Sequence, residues 1–230
     1  MLIFVTNYIL TVISYTEENY LKAIFKIAER ETKAVSTNAI AAELGTTAAS
    51  VTDMLKRLAE KNFIYYEKYK GVTLSPSGEK EAKLLIRKHR LWETFLVEKL
   101  NFGWDEVHDI AEELEHIPSA LLIERLEKFL GNPKFDPHGD PIPDANGVFA
   151  RRNQILLSTL QAQETAVVVG VQEHSPLFLQ YLQRLGLTLG VSVTIIEKLP
   201  YDESLQIRLD HQSEFWITQK VAQNIFIVKE

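Results

Sequence analysis

The stretch GNPKFDPHGDPIPDANG (131–147) carries four of the chain's eight prolines. Proline lacks a backbone N–H and fixes φ, so neither a helix nor a central strand runs through such a segment. It divides the 230 residues into parts that must fold differently. Before it, apolar residues recur at helical spacing; after it, short runs are rich in β-branched residues. The segment reads as a linker and a domain boundary.

Upstream, TEENYLKAIFKIAER (16–30) predicts a helix capped by Thr16, with Tyr20, Leu21, Ile24, Phe25 and Ile27 buried. STNAIAAELG (36–45) predicts a short helix with a serine cap and a glycine stop. TTAASVTDMLKRLAEKN (46–62) predicts a second, with Val51, Leu55 and Leu58 as its buried stripe. In FIYYEKYKGVTLSPSG (63–78), two β-prone runs flank a charged turn with Gly71, which signals a hairpin. Helix, tight turn, helix, hairpin is the order of a winged helix-turn-helix; a small helical domain with an incidental hairpin is the plainer alternative. A long amphipathic helix (79–101), an acidic helix (105–117) and a third starting at Pro118 follow. Beyond the linker, TAVVVGV, VSVTIIEKL, SLQIRLD and NIFIVK predict a small β-barrel with one short helix near LFLQYLQRLG. The fold class is therefore mainly α with a small β part. The expected domains are a DNA-binding unit (1–78), a helical unit (79–131), a linker (132–153) and a β-domain (154–230).

Charge is unevenly spread. The chain carries a net −6, yet residues 46–90 hold ten Lys/Arg against five acids. A basic surface on an acidic protein is the electrostatic signature of a nucleic-acid contact. The chain has no cysteine, which excludes disulfides, thiolate metal sites and a cysteine nucleophile, and fits a reducing cytoplasm. The apolar start MLIFVTNYILTVI lacks a basic leader and is too short to span a bilayer. It reads as a segment packed on the domain, or as a start placed too far upstream, and no membrane association is expected.

DEVHDIAEELEH (105–116) places six carboxylates and two imidazoles in twelve residues. At about 100° per residue, His108, Glu112, Glu115 and His116 share one helix face. Clustered carboxylates repel unless a cation lies among them, so the set is a candidate divalent-metal site. His89 and Glu93 repeat the i, i+4 spacing on the preceding helix. Single histidines such as His138 and His211 read as ordinary surface or hydrogen-bonded residues, and Asp105, Glu106, Asp109 and Glu113 as a solvated face. Carboxylate plus imidazole suits Mn(II) or Fe(II) better than Cu(I), with Mn(II) the expected ion, and Zn(II) or Co(II) can substitute in vitro because affinity rises along the divalent series.

A winged helix-turn-helix followed by RKHRLWE (87–93) and VHDIAEELEH (107–116) resembles the diphtheria toxin repressor family, including its manganese transport regulator branch. The GDPIP linker (139–143) and terminal β-domain resemble the family's longer members, whose third domain is SH3-like. The resemblance implies that Glu112, Glu115 and His116 belong to the primary regulatory metal site. Glu112 stands where the iron-responsive branch has cysteine and the manganese branch glutamate. Asn19, in EENYLKAI, matches the first-helix ligand, with Glu18 as its substitute; Lys22 stands where manganese regulators carry a second acid. His89, Glu93 and His108 match the ancillary site, and Glu173 or His174 in VQEHSP is the candidate ligand from the β-domain. Thr47, Ala49, Ser50 and Asp53 match recognition-helix positions that face DNA. Asp53 either reads a cytosine amine or caps its own helix. Lys56, Arg57, Lys68 and Lys70 are the candidate phosphate contacts.

The resemblance thus implies a metal-activated repressor, not an enzyme. It binds a palindromic double-stranded operator as a homodimer and takes no small organic substrate. Two other classes remain at this stage. One is a carboxylate-bridged di-metal oxidoreductase in a helical bundle, for which Glu113-x-x-His116 has the right spacing, although the motif appears once where such enzymes need it twice. The other is a helix-turn-helix regulator with an organic effector.

Overall fold

The structure is a computed structural model that describes all residues except 1–12, 31–33, 68–69, 211–213 and 230. The apolar start, Lys68 and His211 thus lie outside the described residues. No helix among the described residues is long and apolar enough to cross a membrane. The chain forms two compact units, divided after Ile86, with Ala145–Gly147 belonging to the first.

In the first unit, α1 (Tyr15–Arg30) is closed by Ser14 and not by Thr16. The Glu17 N–H donates to Ser14 Oγ at 3.3 Å, and the Ser14 N–H donates to Glu17 Oε2 at 2.9 Å. This reciprocal box needs a glutamate three residues after the cap. Ser14 has Glu17 there, whereas Thr16 has Asn19. Helices α2 (Thr37–Glu43) and α3 (Ala48–Glu60) are capped by Ser36 and Thr47. Val51, Leu55 and Leu58 form the buried stripe of α3. Strands β1 (Ile64–Glu67) and β2 (Gly71–Leu74) pair antiparallel in register Ile64–Leu74. Helix, turn, helix and wing are therefore present as the sequence predicts.

Helix α4 (Pro76–Leu100) begins with proline, where a missing N–H is harmless. Two residues on, a Cβ at Gly78 would lie 1.9 Å from the carbonyl oxygen of Phe63, so only glycine lets α4 leave the wing here.

The second unit contains the rest of α4, with α5 (Val107–Leu114) and α6 (Ala120–Phe129). Leu91, Trp92, Leu96, Val107, Ala111 and Ile123 form their shared core. Ser119 caps α6 by accepting from the Leu122 N–H, so Pro118 precedes the helix and does not start it. The segment after α6 is not a loose tether. Asp136 Oδ1 accepts the N–H groups of His138 and Asp140, Arg87 donates to the Pro143 carbonyl at 2.8 Å, and Ile142 is buried with α4–α6. At Gly139, with φ +88°, a Cβ would lie 2.2 Å from the Val169 carbonyl oxygen.

The remainder is one antiparallel sheet in the order β3-β8-β4-β5-β6-β7. Its strands are β3 (Ile155–Leu156), β4 (Thr165–Val171), β5 (Ser192–Lys198), β6 (Leu205–Leu209), β7 (Glu214–Ile217) and β8 (Ile225–Lys229). Helix α7 (Pro176–Leu185) crosses between β4 and β5, and the single turn α8 (Gln219–Ala222) precedes β8. Among the described residues no ladder joins β3 to β7, so the expected barrel is an unclosed sheet. Bulges in β4 after Val168 and in β5 after Ile195 bend it without completing a cylinder.

Gly78→Ala should destabilise the protein by about 2 kcal/mol or more, because the added methyl meets main chain that has no rotamer to yield. Chemical denaturation of the variant checks this; an unchanged midpoint would mean that the wing and α4 can separate freely.

Candidate metal centre

Glu93 lies on α4 and is only 3% exposed. One turn earlier, His89 brings Nε2 to 3.0 Å from Glu93 Oε1. From α5, His108 Nδ1 stands 3.6 Å from the same oxygen. From the strap after α6, His138 Nδ1 stands 3.7 Å from Glu93 Oε2. Asp136 completes the set, and the donors fall into two groups sharing Glu93: His89–Glu93–His108 and Glu93–Asp136–His138, each with ligand atoms within 4.8 Å of one another. Bonds of about 2.1 Å to one cation place neighbouring ligand atoms about 3.0 to 3.5 Å apart; the contacts of the three imidazoles with Glu93, at 3.0, 3.6 and 3.7 Å, come near this spacing, and the wider pairs within each group would close around an ion.

The electrostatics fit as well. Burial opposes charge on Glu93, but His108, His138 and His89 outweigh it and hold its carboxyl well below the usual range. Burial likewise opposes charge on His138, yet Glu93 and Asp136 push it up to about 9. Burial, then Glu93 and Asp140, push Asp136 up to about 7. The cluster therefore retains protons where a cation would otherwise supply the positive charge.

Of the β-domain candidates, His174 joins this site and Glu173 does not. The His174 ring stacks on His138 with centroids 5.1 Å apart; the residue is exposed at the surface, but desolvation of the ring against its neighbours lowers its pKa and favours the neutral form that ligates metals. His174, His138, His108 and Glu93 line one cavity of about 190 Å³, with Asp105 and Asp109 also lining it. Glu173 Oε1 instead accepts from the Ser175 N–H on the surface.

The stripe of α5 is divided. The division is one of burial: the assigned helix ends at Leu114, but Glu115 keeps helical φ and ψ (−61°, −23°) and donates its N–H to the Ala111 carbonyl at 2.9 Å, continuing the turn. Glu112 is half-exposed, 3.6 Å from His108 Nε2. Glu115 is fully buried, with Oε2 2.7 Å from His89 Nδ1 and Oε1 3.8 Å from His116 Nε2. Among the described residues Glu112, Glu115 and His116 do not form a third group as tight as the two around Glu93. Glu113 is exposed, so its i, i+3 spacing to His116 builds no carboxylate-bridged centre. In the first unit, Glu18 and Asn19 are half-buried, Lys22 is buried, and Asn19 Oδ1 is buried without a hydrogen-bond partner.

Thr47, Ala49, Ser50, Asp53, Lys56 and Arg57 are exposed. Thr47 caps α3, so Asp53 does not; it pairs with Lys56 at 3.1 Å. Lys70 pairs with Glu67 in the wing turn at 2.6 Å.

His138 is the hydrogen-bonded histidine that the sequence suggests, held by the Trp104 carbonyl at 2.7 Å, but its approach to Glu93, with that of Asp136, is not readable from the sequence. The available signal is the spacing Asp136-x-His138 inside a proline-rich segment, which places two donors on one turn closed by Asp136 Oδ1.

Comparison with known proteins covers the same three parts in order. The N-terminal DNA-binding domain of iron-dependent repressors matches residues 13–72, their metal-binding and dimerisation domain residues 75–144, and the FeoA domain residues 155–229. The chain belongs to the iron-dependent repressor family. It is 33% identical over 117 residues to an uncharacterized HTH-type transcriptional regulator, MJ0568, of Methanocaldococcus jannaschii, covering 51% of this chain and 94% of that one. It is 32% identical over 128 residues to the iron-dependent repressor IdeR of Mycobacterium tuberculosis, covering 56% and 55% of the two chains. A solved manganese-dependent transcriptional repressor in complex with manganese superposes with a TM-score of 0.79 at 32% identity, over 93% of this chain and all of that one. The iron-dependent repressor fold and its N-terminal reading head make this protein a metal-dependent transcriptional regulator.

Stability of the chelated protein should fall as pH rises. His138 has a folded pKa of about 9, above its unfolded value, so its contribution is complete below about 6.5 and disappears as pH passes 9. Asp136, raised to about 7, acts in the same direction as it ionises. Thermal melts in chelator should show Tm decreasing from about pH 6.5 to 9, with on the order of 3 kcal/mol lost. Saturating manganese should flatten the curve, and a Tm that rises across this window would contradict the assignment.

Proposed function

We propose that this regulator is a manganese-responsive repressor, with Fe(II) as the alternative activator, acting in the cytoplasm as a homodimer on a palindromic operator upstream of metal-uptake genes. The observation that carries the reading is the Glu93 carboxylate met by three imidazoles from α4, α5 and the strap. Such a donor set, in a chain without cysteine, suits hard and borderline divalent ions. Zn(II) and Co(II) would bind in vitro by the general affinity order. No catalytic step is assigned to the site.

In this proposal Glu112, Glu115 and His116 are the primary ligands, joined from α1 by Asn19 or Glu18. The unpartnered Asn19 Oδ1 favours asparagine. His89, Glu93, His108, Asp136, His138 and His174 form the second set. The ion fixes the reading head relative to a dimer interface, for which α6 offers Leu121 and Phe129, 58% and 64% exposed. Two α3 helices must stand about 34 Å apart to enter successive major grooves. A metal-free dimer that samples other separations binds DNA more weakly by the fraction of time it is misplaced.

Fluorescence anisotropy on a promoter fragment tests this. Mn(II) should tighten binding by at least about tenfold in the wild type, in the range of ordinary allosteric coupling, and Glu112→Ala should remove most of that gain. Indifference to both manganese and chelator would favour an organic effector instead. Lys56→Ala should weaken binding uniformly across sequences and make the log–log salt slope shallower by about 0.9. An unchanged slope would remove Lys56 from the phosphate contacts.

A further inference from the structure

We propose that Trp104 is the positioning residue that presents His138 to the ion; the inference rests on reading Glu93–Asp136–His138 as a metal centre. An imidazole ligates through its unprotonated nitrogen, and the partner of the other nitrogen decides which one that is. His138 Nε2 donates to the main-chain carbonyl oxygen of Trp104 at 2.7 Å. That bond keeps the last proton on Nε2 and leaves Nδ1, the nitrogen facing Glu93, as the ligand atom. His89 has the opposite arrangement, with Nδ1 held by Glu115 Oε2 and Nε2 facing Glu93. The acceptor for His89 is a side chain. The acceptor for His138 is a carbonyl, whose place depends on how Trp104 is anchored.

The anchor is the indole. Trp104 is 7% exposed and packs into the core of the β-domain with Leu157, Leu160, Val168 and Leu179. The same ring stacks on the His138 imidazole, with centroids 6.2 Å apart and planes at 16°, which restrains rotation of the ligand ring. The turn carrying Trp104 is closed on both sides. Glu106 Oε2 accepts the Gly103 N–H at 2.8 Å, and Gln180 of α7 donates Nε2–H to Asp105 Oδ2 at 2.8 Å. Trp104 thus fixes both the tautomer and the plane of His138, and connects the ligand to the β-domain core.

The test uses the full-length protein, titrated with Co(II) and followed by its d–d absorption. Trp104→Leu keeps apolar bulk but removes the aromatic face; it should weaken Co(II) binding at this group about tenfold or more, as outer-shell changes do, and shift the band. Trp104→Phe should restore both. His138→Ala separates the two ideas. If that variant has the stoichiometry and spectrum of the wild type, the group is not a metal centre. If it alters them while Trp104→Leu does not, the centre stands and the positioning role is wrong. Should Trp104→Leu fail to fold, the ¹⁵N spectrum of the unmutated Zn(II)-loaded protein decides: a proton on His138 Nε2 supports the assignment, and one on Nδ1 overturns it.

Discussion

A buried carboxylate organises the second unit. Glu93 sits almost fully out of water, and an isolated charge there would be strongly unfavourable. It is tolerated because three imidazoles from three segments converge on its two oxygens. The segment between α6 and the sheet has only an isolated bridge, Phe135 to Pro141, in place of regular structure. Its course over α4 is set by polar anchors: His138 to Glu93, Arg90 to Asp140, Arg87 to Pro143. The proline-rich stretch that looks like a spacer is therefore part of the site it appears to follow.

His89 extends this organisation to the other ligand set. Its two nitrogens lie against Glu93 and Glu115, so one ring separates the group around Glu93 from the buried acid of the proposed primary site. An ion taken on the Nε2 side would leave the His89 proton on Nδ1, in its hydrogen bond to Glu115 Oε2. In the metal-free state protons on His138 and Asp136 supply part of the positive charge that an ion would bring. Binding an ion would expel them, which lowers the apparent affinity near neutral pH.

What was legible in the sequence follows from the range of the forces involved. The cap at Ser36, the stripe of α3, the wing and four of the six sheet strands are local patterns, and each appears where predicted, while the Thr47 cap of α3 is seen only in the structure. Short β3 and β7, with two and four residues, are held by their neighbours and carry little signal of their own. His89, Glu93 and His108 were readable because helical spacing places them. Asp136 and His138 were not, since their position depends on a turn closed by Asp136 and on close approach at Gly139 to the Val169 carbonyl. Periodicity carries no information about such tertiary contacts. The same limit applies to α5: helical spacing places Glu112 and Glu115 alike, and only packing decides that Glu115 is buried and Glu112 half-exposed.

The reading head shows why geometry is an effective control for such a protein. Lys56 is paired with Asp53 and Lys70 with Glu67, all four on the surface. Exposed pairs of this kind are worth little in themselves, but each lysine must exchange an internal acid for a phosphate on reaching DNA. The chain as a whole carries −6, which adds a weak general repulsion. In the proposed dimer, occupancy requires both recognition helices at once, and the second contact adds strength only when the separation is right. An ion that sets this separation then controls most of the binding free energy without touching the nucleic acid.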